Sequence, residues 1–259
     1  LKLLGRIHSY EEFLKTYQAA RMEKFDNINV DLINCIPMQS MTSWRKTLRS
    51  VTMLKPEHIS IYNMIIEPGT PFYEMKQEGV LMMPSEDEQA EIDEFTRSFM
   101  KKSGYERYEF SNWAKPGHAC RHNLGYWQGV QYLGFGIGAA SYMNGCRWKN
   151  TSSIEEYIYA HFEEDGMLAV QEIRREFKEL SREEKMEEFM FLGLRCTAGV
   201  SEMNFKGRFG VGIADVYGEQ LAKYTAMGLM EHEGGRYRLS ERGIEVSNII
   251  LSDFLLDRN

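Results

Sequence analysis

The chain has 259 residues, 43% of them hydrophobic and 27% charged, which suits one large globular domain or a large domain with a small one. Its formal net charge of -7, with no lysine-rich tail or basic block, opposes attraction to polyphosphate and argues against a nucleic-acid partner. The longest apolar runs, such as Met64-Ile65-Ile66, are too short to span a bilayer, and no N-terminal stretch resembles a signal peptide, so the chain reads as cytoplasmic with no membrane-spanning segment.

Leu1-Lys2-Leu3-Leu4-Gly5-Arg6 reads as the interior of a longer protein, so a fragment is expected. Ser9 with Glu12 forms a capping box, and Phe13, Leu14, Tyr17 and Ala20 recur at helical spacing, which predicts a helix from about Tyr10 to Lys24. Asn27 to Ile36, rich in branched apolar residues and closed by Pro37, predicts a buried strand. A helix with Trp44, Leu48 and Val51 on one face follows and stops before Pro56, and His58 to Ile66 predicts a second strand. Glu67-Pro68-Gly69-Thr70-Pro71 must turn. Ser85 and Glu88 cap another helix running to about Lys102, and Gly104 ends it before a third strand, Tyr105 to Phe110. Strands alternating with helices at this spacing predict a parallel α/β sheet, and three strands alone leave an edge and a face that further strands must cover.

Tyr132 to Met143 carries three glycines, two alanines and a serine among apolar residues, as expected where backbone approaches a neighbour or a ligand. A polar helix and linker follow Asn150. Ser181 and Glu184 cap a helix bearing Met186, Phe189, Met190 and Gly193 on one side. Ile213 to Met227 predicts a second helix, stopped by Gly228. Leu229 to Leu239 reads as a hairpin around Gly234-Gly235, with a last helix from Ser240. Helices plus a two-stranded wing predict a winged-helix-like module, and its 13 basic against 16 acidic residues over 171–259 argue against DNA binding.

Chemistry-bearing residues are concentrated in a few places. Cys35, Cys120, Cys146 and Cys196 are too dispersed for a CxxC or CxxxCxxC arrangement, so no cluster or zinc site built from local cysteine pairs is expected, and the thiols read as reduced. Asp31 lies mid-strand among apolar residues and, if buried, needs a cation or strong donors. Arg6, just before the first helix, is the candidate partner, with a structural ion pair or local turn bonds as the alternative; Glu67 reads as turn-stabilising. His122-Asn123-Leu124-Gly125-Tyr126-Trp127 sets an imidazole beside an amide and two large rings, with His118 and Cys120 upstream. An imidazole can ligate a metal or a heme iron and flat rings can pack on a porphyrin, while the bland alternative is a locally bonded histidine with aromatic core packing.

Leu4-Gly5-Arg6-Ile7-His8, Asn27 to Ile33, Pro56-Glu57-His58-Ile59-Ser60, Glu67 to Pro71, Tyr108-Glu109-Phe110-Ser111-Asn112 and His122 to Trp127 occur in this order in the oxygen-independent coproporphyrinogen III oxidase group of radical S-adenosylmethionine proteins. The chain resembles that group over essentially its whole length, and within it the heme-chaperone branch most. The resemblance implies an α/β fold: the second half of a partial (β/α)6 barrel with a heme-motif extension over 1–150, a linker helix over 151–180 and a small winged-helix-like domain over 181–259. It further implies that Arg6 and Asp31 contact S-adenosylmethionine, that Ile65 and Ala140 lie beside it, and that His122, with Asn123, Tyr126 and Trp127, binds heme, with His122 on the metal. The ligands of the [4Fe-4S] cluster would belong to a half of the barrel absent from this chain. Where the group commonly has Tyr-Gly-Leu-Pro-Gly-Gln-Thr, this chain has Asn34-Cys35-Ile36-Pro37-Met38-Gln39-Ser40, so two glycines of a tight turn are replaced. The expected function is heme binding for delivery to an acceptor protein, by a fragment that alone is inactive. The alternatives are a coproporphyrinogen oxidase and a protein-interaction module that touches no cofactor.

Overall fold

Alternation along two short parallel strands organises the first half of the molecule. The computed structural model describes Leu1, residues 4–160 and residues 172–256, and divides the chain into two units, Leu1–Cys120 and Arg121–Asn259. In the first unit the Ser9–Glu12 capping box starts α1 (Tyr10–Met22), which leads to β1 (Asn29–Asn34), α2 (Met41–Met53) and β2 (His58–Asn63). Strands β1 and β2 pair in parallel with Val30 beside Ile59 and Leu32 beside Ile61. Side chains alternate across a strand, so these residues share one face and the helices cover it. Trp44, Leu48 and Val51 of α2 pack there with Ile92 and Met100 of α4 (Glu86–Lys102), and Trp44 Nε1 donates to Thr96 Oγ1 at 2.8 Å.

Two departures from the sequence reading have local causes. Where only a turn was expected, Thr70 caps a short helix, α3 (Pro71–Gln77), because its hydroxyl donates to Glu67 O at 2.7 Å and accepts from the Tyr73 N–H, and Pro71 occupies the first helical position, where a missing N–H costs nothing. The third parallel strand expected over Tyr105 to Phe110 is instead a hairpin: β3 (Glu106–Arg107) and β4 (Asn112–Ala114). The Glu109 carboxylate, 1% exposed, accepts from the Ser111 N–H at 2.9 Å and from Asn112 Nδ2, and the Arg107 guanidinium donates to Phe110 O. This knot of local bonds reverses the chain, so β4 runs antiparallel to both β2 and β3 and the sheet order is β1-β2-β4-β3.

The turn after β1 keeps its backbone shape without its glycines. Cys35 and Met38, the two replaced positions, have φ of 53° and 61°, the left-handed region that glycine normally fills. Gln39 holds the turn by accepting the Cys35 N–H at 2.8 Å.

The second unit opens with α5 (Arg121–Trp127), followed by the antiparallel sheet β5 (Ala140–Met143), β6 (Cys146–Asn150) and β7 (Arg174–Glu179), with α6 (Ile154–Tyr159) between the last two strands. β7 lies within the span read as a linker helix. Its sequence, Arg-Arg-Glu-Phe-Lys-Glu, is almost wholly polar and five of its six residues are exposed, so no apolar alternation announced it; residues 161–171 of the same span lie outside the described residues. Next come α7 (Arg182–Gly193) with its Ser181–Glu184 capping box, β8 (Val200–Ser201), α8 (Glu202–Phe209), α9 (Ile213–Ala226), the hairpin β9 (Met230–Glu233) and β10 (Arg236–Leu239), then α10 (Glu241–Glu245) and α11 (Ser247–Ser252). The hairpin turns on Gly234 and Gly235, both at positive φ, and β10 also pairs with β8. Phe205, Tyr217, Leu221, Tyr224 and Phe254 fill this core.

Candidate functional site

The face of the first sheet turned away from the helices is polar. Asn29, Asp31 and Ile33 of β1 share it with His58, Ser60 and Tyr62 of β2, because these residues stand opposite one another in the parallel register. Asn112 of β4 joins the row beside Ser60. Asp31 was expected to be buried and bridged to Arg6. It is exposed instead, and among the described residues it makes no ion pair; its Oδ1 accepts from Asn29 Nδ2 at 2.7 Å. The mid-strand position misled because, among the described residues, helices cover only the Val30 face of β1, and Asp31 points to the other. Arg6 and Ile65 are also exposed.

The polar row is bonded along its length. Asn29 Oδ1 lies 2.7 Å from His58 Nδ1 and 3.3 Å from Ser60 Oγ, and His58 Nε2 lies 2.7 Å from the Tyr108 hydroxyl. Burial pushes the His58 pKa down, against the pull of Asp31, so a neutral imidazole is favoured. Asn112 is 4% exposed, and among the described residues its Oδ1 has no hydrogen-bond partner. At the ends of the strands, Asn34 and Asn63 each donate to Asp93 at 3.3 Å. Burial, then the Asp93 charge, pushes the Cys35 thiol up to about 12, which keeps it protonated and unreactive.

In the second unit His122 projects from α5 into solvent, and among the described residues neither ring nitrogen takes part in a hydrogen bond. Its ring meets Tyr126 edge-on at 4.7 Å, and Tyr126 meets Tyr132 edge-on at 4.6 Å. Asn123 is half-buried and makes no hydrogen bond to His122. Trp127 is half-buried beneath the Arg195 guanidinium, 4.6 Å from the ring centroid, and its buried Nε1 has no hydrogen-bond partner among the described residues. After α5 the chain folds back, with the Val130 N–H donating to Gly125 O at 2.9 Å, and exposes Val130, Leu133, Phe135 and Ile137, Phe135 to 82%. Ala140, exposed at the start of β5, sits against Gly134, where any Cβ would stand 2.2 Å from Ala140 O, so Gly134 serves close backbone packing, whereas Gly136 and Gly138 meet nothing within 4 Å and instead sit at positive φ.

Among the described residues no three histidine, cysteine or acidic side chains converge as a metal site, and all four cysteines are unbridged. The described part of this chain therefore does not fit an iron–sulfur cluster. The polar sheet face could accept hydrogen bonds from a donor-rich small molecule, and the unbonded His122 imidazole could serve as a metal ligand.

The HemN C-terminal domain model matches residues 180–246. Heme chaperone HemW of Lactococcus lactis subsp. lactis (strain IL1403) is 33% identical and that of Bacillus subtilis (strain 168) 34% identical, over 99% and 98% of this chain. The chain belongs to the HemW/HemN-like radical S-adenosylmethionine proteins. It spans 66% of the length of these two relatives. A solved structure of coproporphyrinogen III oxidase (HemN) from Escherichia coli, a radical SAM enzyme, superposes with a TM-score of 0.74 over 98% of this chain and 60% of its own, at 21% identity, which establishes a shared α/β fold.

Of the residues singled out in the sequence, the structure brings together His122 and Tyr126, and among the described residues it shows no ion pair between Asp31 and an arginine. The bonded set Asn29, His58 and Tyr108 was missed. Its signal was present: Asn29 and Asp31, and His58 and Ser60, alternate with apolar residues, which marks a strand polar on one face.

Proposed function

We propose that this chain is part of a radical S-adenosylmethionine heme chaperone and that it binds heme through His122 for delivery to an acceptor protein. The observation that carries the reading is the exposed, unbonded His122 imidazole, backed edge-on by Tyr126 and followed by the exposed apolar run Val130, Leu133, Phe135 and Ile137. A heme needs one accessible nitrogen for its iron and apolar surface for its faces. The relatives at 33–34% identity are named heme chaperones, which favours this over a coproporphyrinogen oxidase, whose support is a likeness of fold, and over a module that touches no cofactor.

In the intact protein Arg6 and Asp31 would contact S-adenosylmethionine with Ile65 beside it, and a [4Fe-4S] cluster on ligands outside this chain would supply the electron that cleaves it. The second half of a (β/α)6 barrel over 1–150, a linker over 151–180 and a winged-helix-like domain over 181–259 complete the reading. The helix–strand–helix–helix–hairpin order of α7 to β10 supports the last of these. A cytoplasmic location accords with four unbridged cysteines, and no helix among the described residues is long and apolar enough to cross a membrane.

Hemin titration tests the heme reading. His122→Ala is expected to weaken binding and shift the heme absorption bands, while Cys120→Ser leaves both in place. A folded His122→Ala protein with unchanged spectrum and affinity would return the motif to aromatic packing.

A further inference from the structure

The bonds on the polar face of the first sheet run in one direction. Asp31 accepts only, so the Asn29 amide must turn Nδ2 toward it, 2.7 Å away, and Oδ1 toward His58. His58 Nδ1 must then carry the proton, which in a neutral ring leaves Nε2 as an acceptor for the Tyr108 hydroxyl at 2.7 Å. Each member fixes the next: Asp31, which cannot donate, sets the flip of Asn29, Asn29 sets the tautomer of His58, and His58 Nε2 accepts the Tyr108 hydroxyl, which anchors the row at its buried end. His58 is 5% exposed at the protected end of this chain, whereas Asp31 is open at the other. A buried histidine bonded on both nitrogens and aimed through an amide at an exposed carboxylate is the arrangement that holds a ligand-facing group still.

We propose that Tyr108, His58 and Asn29 are positioning residues that orient Asp31 so that its second oxygen receives a hydrogen-bond donor of S-adenosylmethionine. This rests on the reading of Asp31 as a cofactor contact given above. The cofactor meets Asp31 alone; the other three act through it. An orienting role predicts that removing any of them matters only while the carboxylate is present, whereas a purely structural role makes no such distinction.

The test is a double-mutant cycle on the affinity of the intact protein for S-adenosylmethionine, measured anaerobically by calorimetry. Tyr108→Phe is expected to weaken binding about 3- to 10-fold, the scale of one net hydrogen bond, and to have no effect in an Asp31→Asn background. Asn29→Ala, at an exposed position that leaves the core intact, is expected to behave the same way and serves if Tyr108→Phe impairs folding. Equal weakening in both backgrounds, or none in the native background, would overturn the positioning role while leaving Asp31 as a contact. An Asp31→Asn protein with native affinity would overturn the cofactor reading beneath it as well.

Discussion

Glu57 fastens three separate pieces of the first unit, and its removal is the sharpest test of how that unit holds together. Its carboxylate accepts from Arg21 Nη2 of α1 at 2.7 Å, from the Ile28 N–H just before β1 at 3.2 Å, and from Lys115 Nζ just after β4 at 3.2 Å. The Glu57 side chain is 13% exposed, against 28% for Arg21 and 33% for Lys115, so solvent partly screens both cations. A charge-assisted bond in such a setting contributes about 1.5–3 kcal/mol, and a pair as exposed as the lysine's about 0.5 kcal/mol. Members of one network do not add, so Glu57→Ala is expected to cost about 2–4 kcal/mol and Glu57→Gln, which keeps an acceptor, about 1–2 kcal/mol. Burial works to raise the Glu57 pKa, but the bonds from Arg21, Ile28 and Lys115 outweigh it and hold the value below 4.5. A depressed folded value means that the stabilisation is complete above pH 4.5 and is lost as pH falls through the lower folded value. Urea titrations followed by tryptophan fluorescence, with Trp44 and Trp113 buried in this unit, give the penalty at neutral pH and again in acid. A Glu57→Ala penalty below about 0.5 kcal/mol, or a Glu57→Gln penalty that does not shrink in acid, would refute the clamp.

The left-handed turn after β1 makes a second prediction: Met38→Gly is expected to be about 0.5–1 kcal/mol more stable than Met38→Ala, since both lose the same exposed side chain but only alanine keeps a Cβ at φ 61°. Equal urea midpoints would show that the turn carries no strain. His58 makes a third: burial depresses its folded pKa below 6.5, so its contribution is complete above pH 6.5 and declines as pH falls through the folded value. The native protein should therefore lose stability relative to His58→Gln across that window, and parallel pH curves for the two would contradict a buried neutral imidazole.

Much of the fold was legible because it rests on local chemistry. The capping boxes at Ser9, Ser85 and Ser181 start helices where serine and glutamate stand three apart, and Trp44, Leu48 and Val51 fall on the buried face that their spacing predicts. The errors arise where a bond of longer reach or an uncovered face decides. Tyr105 to Phe110 has the composition of a strand, but the buried Glu109 gathers the Ser111 amide and the Asn112 side chain and turns the chain back. β7 has no apolar face, so its pairing with β6 leaves almost no mark on composition.

The candidate site is legible only in part, for a related reason. Residue identity picks out a histidine beside aromatic rings, and His122 does stand exposed against Tyr126. Identity does not say which face of a strand will be covered. Asp31 was assigned a partner on the premise that it was buried, and the premise fails because, among the described residues, β1 packs helices on its Val30 side. Its carboxylate stays in water and takes its orientation from a neighbour two residues away. The residue that does bear the cost of burial on that face is His58, and it meets the cost with a bond on each nitrogen. A polar side chain in a strand is therefore informative about function only together with the layer above it. Here the buried histidine identifies the held end of the network, and the exposed aspartate the end that is open to a ligand.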